Sequence, residues 1–348
     1  MKAASLPVNQ ILSGNCLDIL KTLPDQSVNM CVTSPPYWGL RDYGVDGQIG
    51  LEPALDDYLE TMVEVFREVK RVLREDGTLW LNLGDAYWVG SGTIKRDRKH
   101  LKELGERLGC GGGNKHSERP GDVVERADCD LKPKDLIGIP WRVAFALQAD
   151  GWYLRSDIIW HKPNPMPESV TDRPTKAHEY IFLFSKSQKY YYDQEAILEP
   201  VSPNTHARVS QNVAAQVGSA RANGVKRIGN MKAVIRTPKT LAAPDGVKNN
   251  ESFALATCLL VLKRNKRTVW EVATQPFKGA HFATFPEKLI IPCIKAGSPE
   301  GGIVLDPFGG SGTTARAARK LGRQFILIEL NPEYVGMAEE SLSQGVLL

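Results

Sequence analysis

A short apolar run ends in the tetrapeptide Ser34-Pro35-Pro36-Tyr37 instead of an ordinary turn. Two successive prolines remove two backbone donors and fix two φ angles, so this loop is rigid and its carbonyl oxygens are free to accept hydrogen bonds. A hydroxyl, a fixed carbonyl and the rings of Tyr37 and Trp38 can bind amino groups and stack on a planar ligand. Pro-Pro loops also end strands for structural reasons, so the motif alone leaves both interpretations open.

A second loop near the other end of the chain, DPFGGSGTT from Asp306 to Thr314, has its own chemistry. The apolar run 303–305 precedes it. A helical stretch at 314–321 and a second apolar run at 325–330, which carries Glu329, follow it. Strand, glycine-rich turn, helix and strand make a βαβ unit, whose ligands bind at the carboxyl ends of the strands. The second loop is therefore a candidate cofactor site.

Three classes of cofactor compete for this loop. A nucleoside triphosphate site needs a lysine in GxxxxGK[ST], and none precedes Thr313. A dinucleotide site needs GxGxxG, and Asp306 beside the glycines would repel a pyrophosphate. S-adenosylmethionine fits better, because its sulfonium and amino groups are positive and its ribose offers hydroxyls to an acid such as Glu329. The structural alternative is that Asp306 caps the following helix and Glu329 is a solvated strand end.

The two loops together make the chain resemble the bacterial and phage DNA amino-methyltransferases of the β arrangement, in which the Ser-Pro-Pro-Tyr half precedes the S-adenosylmethionine-binding half. The resemblance covers nearly all of the 348 residues. It implies an α/β fold, a doubly wound mixed seven-stranded sheet of the S-adenosylmethionine-dependent methyltransferase type. The sheet is assembled from a circularly permuted chain and carries an inserted target-recognition lobe.

The resemblance also places the elements that position the loops. Residues 77–87 resemble the strand next to the catalytic one. Residues 153–167 and 179–193 resemble an antiparallel pair at the edge of the sheet, and residues 281–298 resemble the helix on the cofactor side.

Three segments follow from this arrangement. Residues 1–189 form the catalytic half, 190–268 the target-recognition lobe and 269–348 the cofactor-binding half. Within the first, 89–130 is expected to be a mobile insertion, because it is polar and glycine-rich, with nine Lys and Arg against eight Asp and Glu. The lobe has twelve Lys and Arg against five Asp and Glu, which suits contacts with DNA phosphates. An ordinary solvated surface is the alternative.

Individual roles also follow from the resemblance. The predicted catalytic residues are Ser34, Pro35, Pro36 and Tyr37. The predicted cofactor-binding residues are Asp306, Phe308, Gly309, Gly310, Gly312, Thr313, Glu329, Asn331, Phe282, Phe285, Asn15 and Cys16. Asn15 departs from the family, which commonly has an aspartate there, but its carbonyl can still accept a hydrogen bond from the adenine amine.

The implied reaction explains the Ser-Pro-Pro-Tyr loop. An exocyclic amino group is a poor nucleophile, because its lone pair is delocalised into the ring. Acceptors for both N–H groups, here Ser34 Oγ and the Pro35 carbonyl, favour the reactive pyramidal geometry. The methyl group then moves directly from sulfur to nitrogen. Tyr37 would stack on the flipped base, and Trp38 would either add a second wall or pack beneath the loop.

The target base is expected to be cytosine, modified at N4, because in the family a serine at this position accompanies cytosine more often than adenine. Modification of adenine at N6 stays open. A cytosine C5-methyltransferase would need a nucleophilic cysteine, but Cys293 lies in an apolar helical run typical of a core face. A catalytically inactive DNA-binding regulator on the same scaffold is disfavoured, because both loops are intact.

Composition limits the partners. Hydrophobic residues make up 42% and charged residues 24%, as in soluble globular proteins. No apolar run reaches the roughly 18 residues of a membrane span, and the first ten residues are too polar for a signal peptide. We therefore expect a cytoplasmic protein with no membrane partner. A net charge of +4 permits double-stranded DNA as partner. A homodimer and a separate restriction endonuclease stay open.

No metal is expected. The six cysteines are scattered without paired spacing, which argues against a disulfide framework and against CxxC-type metal sites. His100, Cys110, His116 and Cys129 share one glycine-rich stretch, but their intervals match no common zinc site.

Overall fold

The structure, a computed structural model, describes residues 6–88, 131–201, 263–274 and 285–344, together with two short strands at 93–95 and 123–125. The zinc hypothesis for His100, Cys110, His116 and Cys129 lies outside these residues, as does most of the expected mobile insertion.

Among the described residues, eight strands form one sheet. In chain order they are β1 (Gln10–Ser13), β2 (Val28–Thr33), β3 (Leu73–Leu83), β6 (Tyr153–His161), β7 (His178–Ser185), β10 (Val269–Glu271), β11 (Ile303–Asp306) and β12 (Gln324–Glu329). Their order across the sheet is β1-β12-β11-β2-β3-β7-β6-β10. All neighbours are parallel except β7, which is antiparallel to both β3 and β6. Two antiparallel pairs lie apart, β4 (Thr93–Lys95) with β5 (Val123–Glu125) and β8 (Glu199–Pro200) with β9 (Lys263–Arg264).

The strand order confirms the permuted fold. The late strands β11 and β12 lie between β1 and β2, the first two strands of the chain. The predicted strand at 77–87 corresponds to β3 beside β2, and the predicted antiparallel pair is β6 with β7. One detail differs: the sheet has eight strands instead of seven, because β10 pairs in parallel with β6 and takes the edge position.

Six helices cover the sheet within the described part of the chain. They are α1 (Cys16–Thr22), α2 (Leu55–Val72), α3 (Ile139–Ala149), α4 (Glu287–Gly297), α5 (Thr313–Lys320) and α6 (Pro332–Gln344). The longest, α2, buries apolar residues at helical spacing, among them Tyr58, Met62, Val65 and Val69. Its first turn is acidic and its last turn is basic, which complements the helix dipole. None of these helices is long and apolar enough to cross a membrane.

The strand pairing brings the two loops of interest together. β2 pairs in parallel with β11, with Cys31 opposite Leu305. β2 ends at Thr33 and β11 at Asp306, so Ser34 and the glycine-rich loop leave the same carboxyl edge. Neighbouring parallel strands with ligands at their carboxyl ends are the arrangement expected of this sheet type.

Residues Ile197–Lys266 form a compact unit separate from Met1–Ala196 and Arg267–Leu348. The unit lies within the expected lobe at 190–268. Its described residues include β8 and β9, joined by an ion pair between Arg264 Nε and Glu199 Oε1 at 2.9 Å. Recognition of DNA by this unit stays a prediction.

Candidate active site

A cleft opens at the carboxyl edge of the sheet, with about 890 Å³ of empty space when the solvent at its mouth is included. The cofactor half contributes the predicted residues Asp306, Phe308, Gly309, Gly310, Thr313 and Glu329 to its lining. The other predicted residues in the lining are Asn15, Cys16, Ser34, Pro36, Phe285 and Asn331. Of the remaining predicted residues, Pro35, Tyr37 and Gly312 are not in the lining, and Phe282 lies outside the described residues.

Asp306 is almost fully buried at the base of the glycine-rich loop. Its Oδ1 accepts hydrogen bonds from Thr33 Oγ1 at 2.6 Å and from the Phe308 backbone N–H at 3.1 Å. Its Oδ2 accepts one from Thr314 Oγ1 at 2.6 Å. Burial raises the pKa of this carboxyl group. Asp306 thus ties β2, the loop and α5 together, and places negative charge beside the cleft.

Glu329, at the end of β12, accepts hydrogen bonds from the glycine-rich loop and from the residues that follow β12. Its Oε2 accepts a hydrogen bond from the Gly310 N–H at 2.7 Å, and its Oε1 accepts one from the Asn331 N–H at 2.8 Å. Burial raises its pKa. Each carboxylate oxygen offers two acceptor sites, so the group retains capacity for a ligand hydroxyl.

Gly309 and Gly312 of the loop are each required for a different structural reason. A Cβ at Gly309 would lie 2.2 Å from Leu327 Cγ, so the loop can approach β12 only without a side chain. Gly312 has a φ of 79°, in the left-handed region, and precedes α5 as its N-cap. Gly312 therefore shapes the loop and does not line the cleft, which differs from the predicted contact with the cofactor.

Asn15 and Cys16 start α1 beside the cleft. Asn15 Oδ1 accepts from the Leu17 N–H at 2.9 Å and the Asp18 N–H at 3.4 Å, as an N-cap does. The carbonyl that was expected to accept from the adenine amine is therefore engaged by the helix. Burial raises the pKa of the Cys16 thiol to about 12, so it remains neutral.

Ser34 and Pro36 of the Ser-Pro-Pro-Tyr loop line the cleft, whereas Tyr37 does not. Pro35 is buried, and the Pro36 carbonyl accepts a hydrogen bond from Tyr58 Oη at 3.0 Å. Tyr37 Oη lies 3.2 Å from Ser34 Oγ. The ring of Tyr37 lies against Gly84, where an added Cβ would be 2.6 Å from Tyr37 Cε2.

Trp38 packs beneath the loop and does not form a second wall of the site. It is 1% exposed, and its Nε1 donates to the Glu52 carbonyl at 2.9 Å. Its ring stacks on Trp88 with 5.8 Å between centroids. Of the two interpretations left open for Trp38, the structural one is right.

The sequence patterns missed one wall of the cleft. Tyr43, Val45, Gly47, Gln48 and Ile49 of the segment 43–49 line it, together with Tyr334 of α6. Tyr43 and Tyr334 meet edge to face, with ring centroids 6.3 Å apart. The segment is irregular, so hydrophobic periodicity could not have marked it.

Two histidines and a lysine lie near the ends of β6 and β7 at this edge. His161 ends β6 and His178 begins β7, directly opposite each other. Lys176 Nζ donates to the Asp85 carbonyl at 2.8 Å, and burial lowers the pKa of this lysine. Burial also lowers the pKa of His178 from its ordinary 6.5, so this histidine adds no charge near pH 7.

Two other chemistries have no support in the described residues. Cys293 is fully buried inside α4, and its Sγ lies 3.7 Å from the Leu289 carbonyl oxygen, as expected of a core residue and not of an exposed nucleophile. Within the described ranges, no three His, Cys, Asp or Glu side chains group so as to hold a metal ion.

Comparison with known proteins gives relatives over almost the whole chain. The family model N6_N4_Mtase, described as DNA methylase, matches residues 28–340. The Type II methyltransferase M.Cfr9I of Citrobacter freundii is 45% identical over 333 residues, which are 95% of this chain and 87% of that protein. The Type II methyltransferase M.SmaI of Serratia marcescens is 43% identical over 333 residues, 96% of this chain and 90% of that protein.

Solved structures share the fold. The PvuII DNA methyltransferase, named as cytosine-N4-specific, superposes with a TM-score of 0.56 and 17% identity, over 97% of this chain and 87% of that one. TTHA0409 from Thermus thermophilus, in complex with S-adenosyl-L-methionine, superposes with a TM-score of 0.52 and 21% identity, over 97% of this chain and 95% of that one.

Proposed function

The chain belongs to the DNA methylase family that the N6_N4_Mtase model describes, and from that premise we propose that it methylates the exocyclic N4 amino group of a cytosine flipped out of duplex DNA. The observation that carries this proposal is the place of Ser34 Oγ. It lines the same cleft as the glycine-rich loop, at the carboxyl ends of the paired strands β2 and β11.

The methyl donor is S-adenosyl-L-methionine, which when bound supplies an electrophilic methyl group on a positive sulfur. The cleft fits it in two ways. The carboxylates of Asp306 and Glu329 provide negative charge beside the positive ligand. Ser311 Oγ is buried in the lining with no hydrogen-bond partner among the described residues, so a polar ligand atom would satisfy it.

Ser34 has the catalytic role in this proposal. Its Oγ accepts a hydrogen bond from the cytosine amino group, which turns the nitrogen lone pair out of conjugation and toward the methyl carbon. The nitrogen–carbon bond forms as the methyl–sulfur bond breaks, and the methylated nitrogen then loses one proton to solvent. The Pro35 carbonyl is the proposed second acceptor; the two prolines keep it fixed, and the base would have to reach it beyond the residues that line the cleft. The chain supplies no covalent nucleophile in this scheme, consistent with the buried position of Cys293.

Cytosine is preferred over adenine because the family's serine form of the tetrapeptide accompanies cytosine more often. The solved neighbour named as cytosine-N4-specific shares only the fold. The family model spans both bases, so modification of adenine at N6 is the second candidate function.

Double-stranded DNA is the proposed form of the substrate, contacted through the lobe at 190–268 with its excess of Lys and Arg. The relatives named Type II methyltransferases also suggest a separate cognate restriction endonuclease. An inactive regulator on this scaffold would bind DNA and cofactor without transferring a methyl group.

Long-read sequencing of genomic DNA from a host expressing the protein tests the proposal. We expect modified cytosines at one short motif, and no such signal from a host that expresses the Ser34→Ala variant. Modified adenines at a motif would move the function to the second candidate. An unmodified genome, despite folded protein that binds the cofactor, would favour the regulator.

A further inference from the structure

A chain of hydrogen bonds leads away from Ser34 into the sheet. Tyr37 Oη, 3.2 Å from Ser34 Oγ, donates to Glu179 Oε2 at 3.0 Å. Glu179 is the second residue of β7, 142 positions along the chain from Tyr37, and its side chain is 17% exposed. The proposed reaction so far gives this carboxylate no role.

Glu179 also accepts hydrogen bonds from two further side chains, one in β3 and one just after β6, the two strands beside β7. Asn82 Nδ2, from β3, donates to Oε2 at 3.2 Å and also to the Tyr180 carbonyl at 3.0 Å. Lys162 Nζ, just after β6, makes an ion pair with Oε1 and lies 4.3 Å from the centroid of the Trp160 ring. A mostly buried ion pair is weak evidence for a stabilising role, because well-packed apolar residues usually stabilise as much. The position of this pair behind Ser34 therefore calls for a functional explanation.

The network fixes the direction of its protons. A carboxylate can only accept hydrogen bonds, so the Tyr37 phenol proton points to Glu179. The Tyr37 oxygen must then accept from Ser34, and the Ser34 hydroxyl proton points to Tyr37. Both lone pairs of Ser34 Oγ are left for the cleft, where an amino group needs an acceptor. Burial, and after it the negative charge of Glu179, raises the pKa of Tyr37 well above its ordinary value, so the phenol keeps its proton.

We propose that Glu179 is a positioning residue that acts through Tyr37 to orient the Ser34 hydroxyl as a hydrogen-bond acceptor for the target amino group. The inference rests on the proposed role of Ser34, and it holds for either base, because cytosine and adenine present the same kind of amino group. It gives Tyr37 a function through its hydroxyl, although its ring does not line the cleft.

The test compares Glu179→Gln and Tyr37→Phe with their double variant. In Glu179→Gln the new amide NH₂ can only donate, yet in either orientation it faces another donor. That donor is Lys162 in one orientation, and Asn82 and Tyr37 in the other. Tyr37→Phe keeps the ring and removes the hydroxyl. We expect each single variant to lower the single-turnover methyl-transfer rate on the order of 10- to 100-fold. The affinities for S-adenosylmethionine and duplex DNA should be unchanged, and the double variant should lose no more than the worse single variant.

Glu271→Gln is the matched control, since it removes the same charge from β10, the edge strand on the other side of β6, where Glu271 is 71% exposed. It should transfer methyl groups at the wild-type rate, and Glu179→Asp should recover part of the lost rate. A wild-type rate in Glu179→Gln, or losses that multiply in the double variant, would overturn the positioning role. So would a rate loss matched by equal losses of cofactor affinity and melting temperature.

The nucleoside product of the wild type is identified in the same assay, so the two hypotheses fail separately. N4-methylcytosine with an unaffected Glu179→Gln variant rejects only the positioning role. N6-methyladenine with the expected variant pattern rejects only the choice of base. No transfer to an amino group by the wild type rejects both.

Discussion

Ser34 is the residue on which the proposed chemistry depends most directly. It lines the cleft and is hydrogen-bonded to Tyr37, and the cofactor-side residues contact other parts of the same cleft. Removing its hydroxyl removes one acceptor for the amino group and leaves the glycine-rich loop intact. Effects on transfer and on cofactor binding should therefore separate at this residue.

We predict that Ser34→Ala lowers the methyl-transfer rate on the order of 100- to 1,000-fold, the usual cost of losing one group that stabilises a transition state. Affinity for S-adenosylmethionine, measured by calorimetry, should not change. Ser27→Ala is the control and should keep full activity. Ser27 lies just before the opposite end of β2, and its hydroxyl donates to the Pro24 carbonyl. Equal losses of rate and affinity in Ser34→Ala would contradict a divided site.

Gly309→Ala should abolish cofactor binding and lower the melting temperature, because the new Cβ would lie 2.2 Å from Leu327 Cγ. Gly336→Ala is its counterpart in α6, at an exposed position with open space around a Cβ. That substitution should raise the free energy of unfolding by about 0.5–1 kcal/mol. Differential scanning calorimetry with and without S-adenosylmethionine measures both effects, and a Gly309→Ala variant with wild-type affinity would be inconsistent with the tight loop.

Residue types at the site were predictable, but their partners were not. The hydroxyl of Ser34 and the acids Asp306 and Glu329 stand out locally, because they follow apolar runs. The link from Tyr37 to Glu179 crosses more than a hundred residues and depends on strand order. The N-cap role of Asn15 was readable from its place before an apolar stretch, yet the family comparison directed attention to adenine instead.

At the scale of elements, regular periodicity decided what the sequence could predict. The βαβ unit is close to expectation, with β11 at Ile303–Asp306, α5 at Thr313–Lys320 and β12 at Gln324–Glu329. β10 was missed because three residues carry no detectable alternation, and only its pairing with β6 defines it as a strand.

The contact between α4 and α5 depends on Glu287, which accepts from Arg316 Nε at 3.0 Å and Lys320 Nζ at 2.6 Å. Burial alone would raise the pKa of Glu287, but these two bonds outweigh it and the pKa is lowered from the ordinary 4.5. A lowered carboxyl pKa contributes stability above the ordinary value, and this contribution is lost as the pH falls through the lowered one.

Glu287→Gln should therefore be less stable than the wild type at pH 7, by about 0.5–1 kcal/mol. The difference should shrink as the pH falls below 4.5. Urea denaturation of both proteins from pH 7 downward measures it. A difference that stays constant across this range would mean that packing, and not the ion pair, accounts for the loss.

At the scale of the whole molecule, the order of the two motifs along the chain correctly predicted a permuted sheet. Their separation of more than 270 residues is compatible with one site only if the late strands enter the middle of the sheet, as β11 and β12 do. The lobe at 190–268 stays a prediction from its basic composition and the family resemblance, and no residue pattern reveals which DNA sequence it would read.

Cofactor binding and transfer should not require a metal ion, because the carboxylates of Asp306 and Glu329 supply the negative charge that suits a positive cofactor. We predict full activity after dialysis against excess chelator, measured as methyl incorporation into DNA. Activity that disappears on chelation and returns with zinc would instead direct attention to His100, Cys110, His116 and Cys129.

The identity of the methylated atom tests the central claim most directly. The purified enzyme is incubated with duplex DNA and S-adenosylmethionine carrying a deuterated methyl group, and the digested nucleosides are separated by chromatography and identified by mass spectrometry. We predict that the label appears in N4-methylcytosine, because Ser34 offers a neutral acceptor to the amino group. Label in N6-methyladenine would contradict the choice of base, and label in 5-methylcytosine would contradict direct transfer to an amino group altogether.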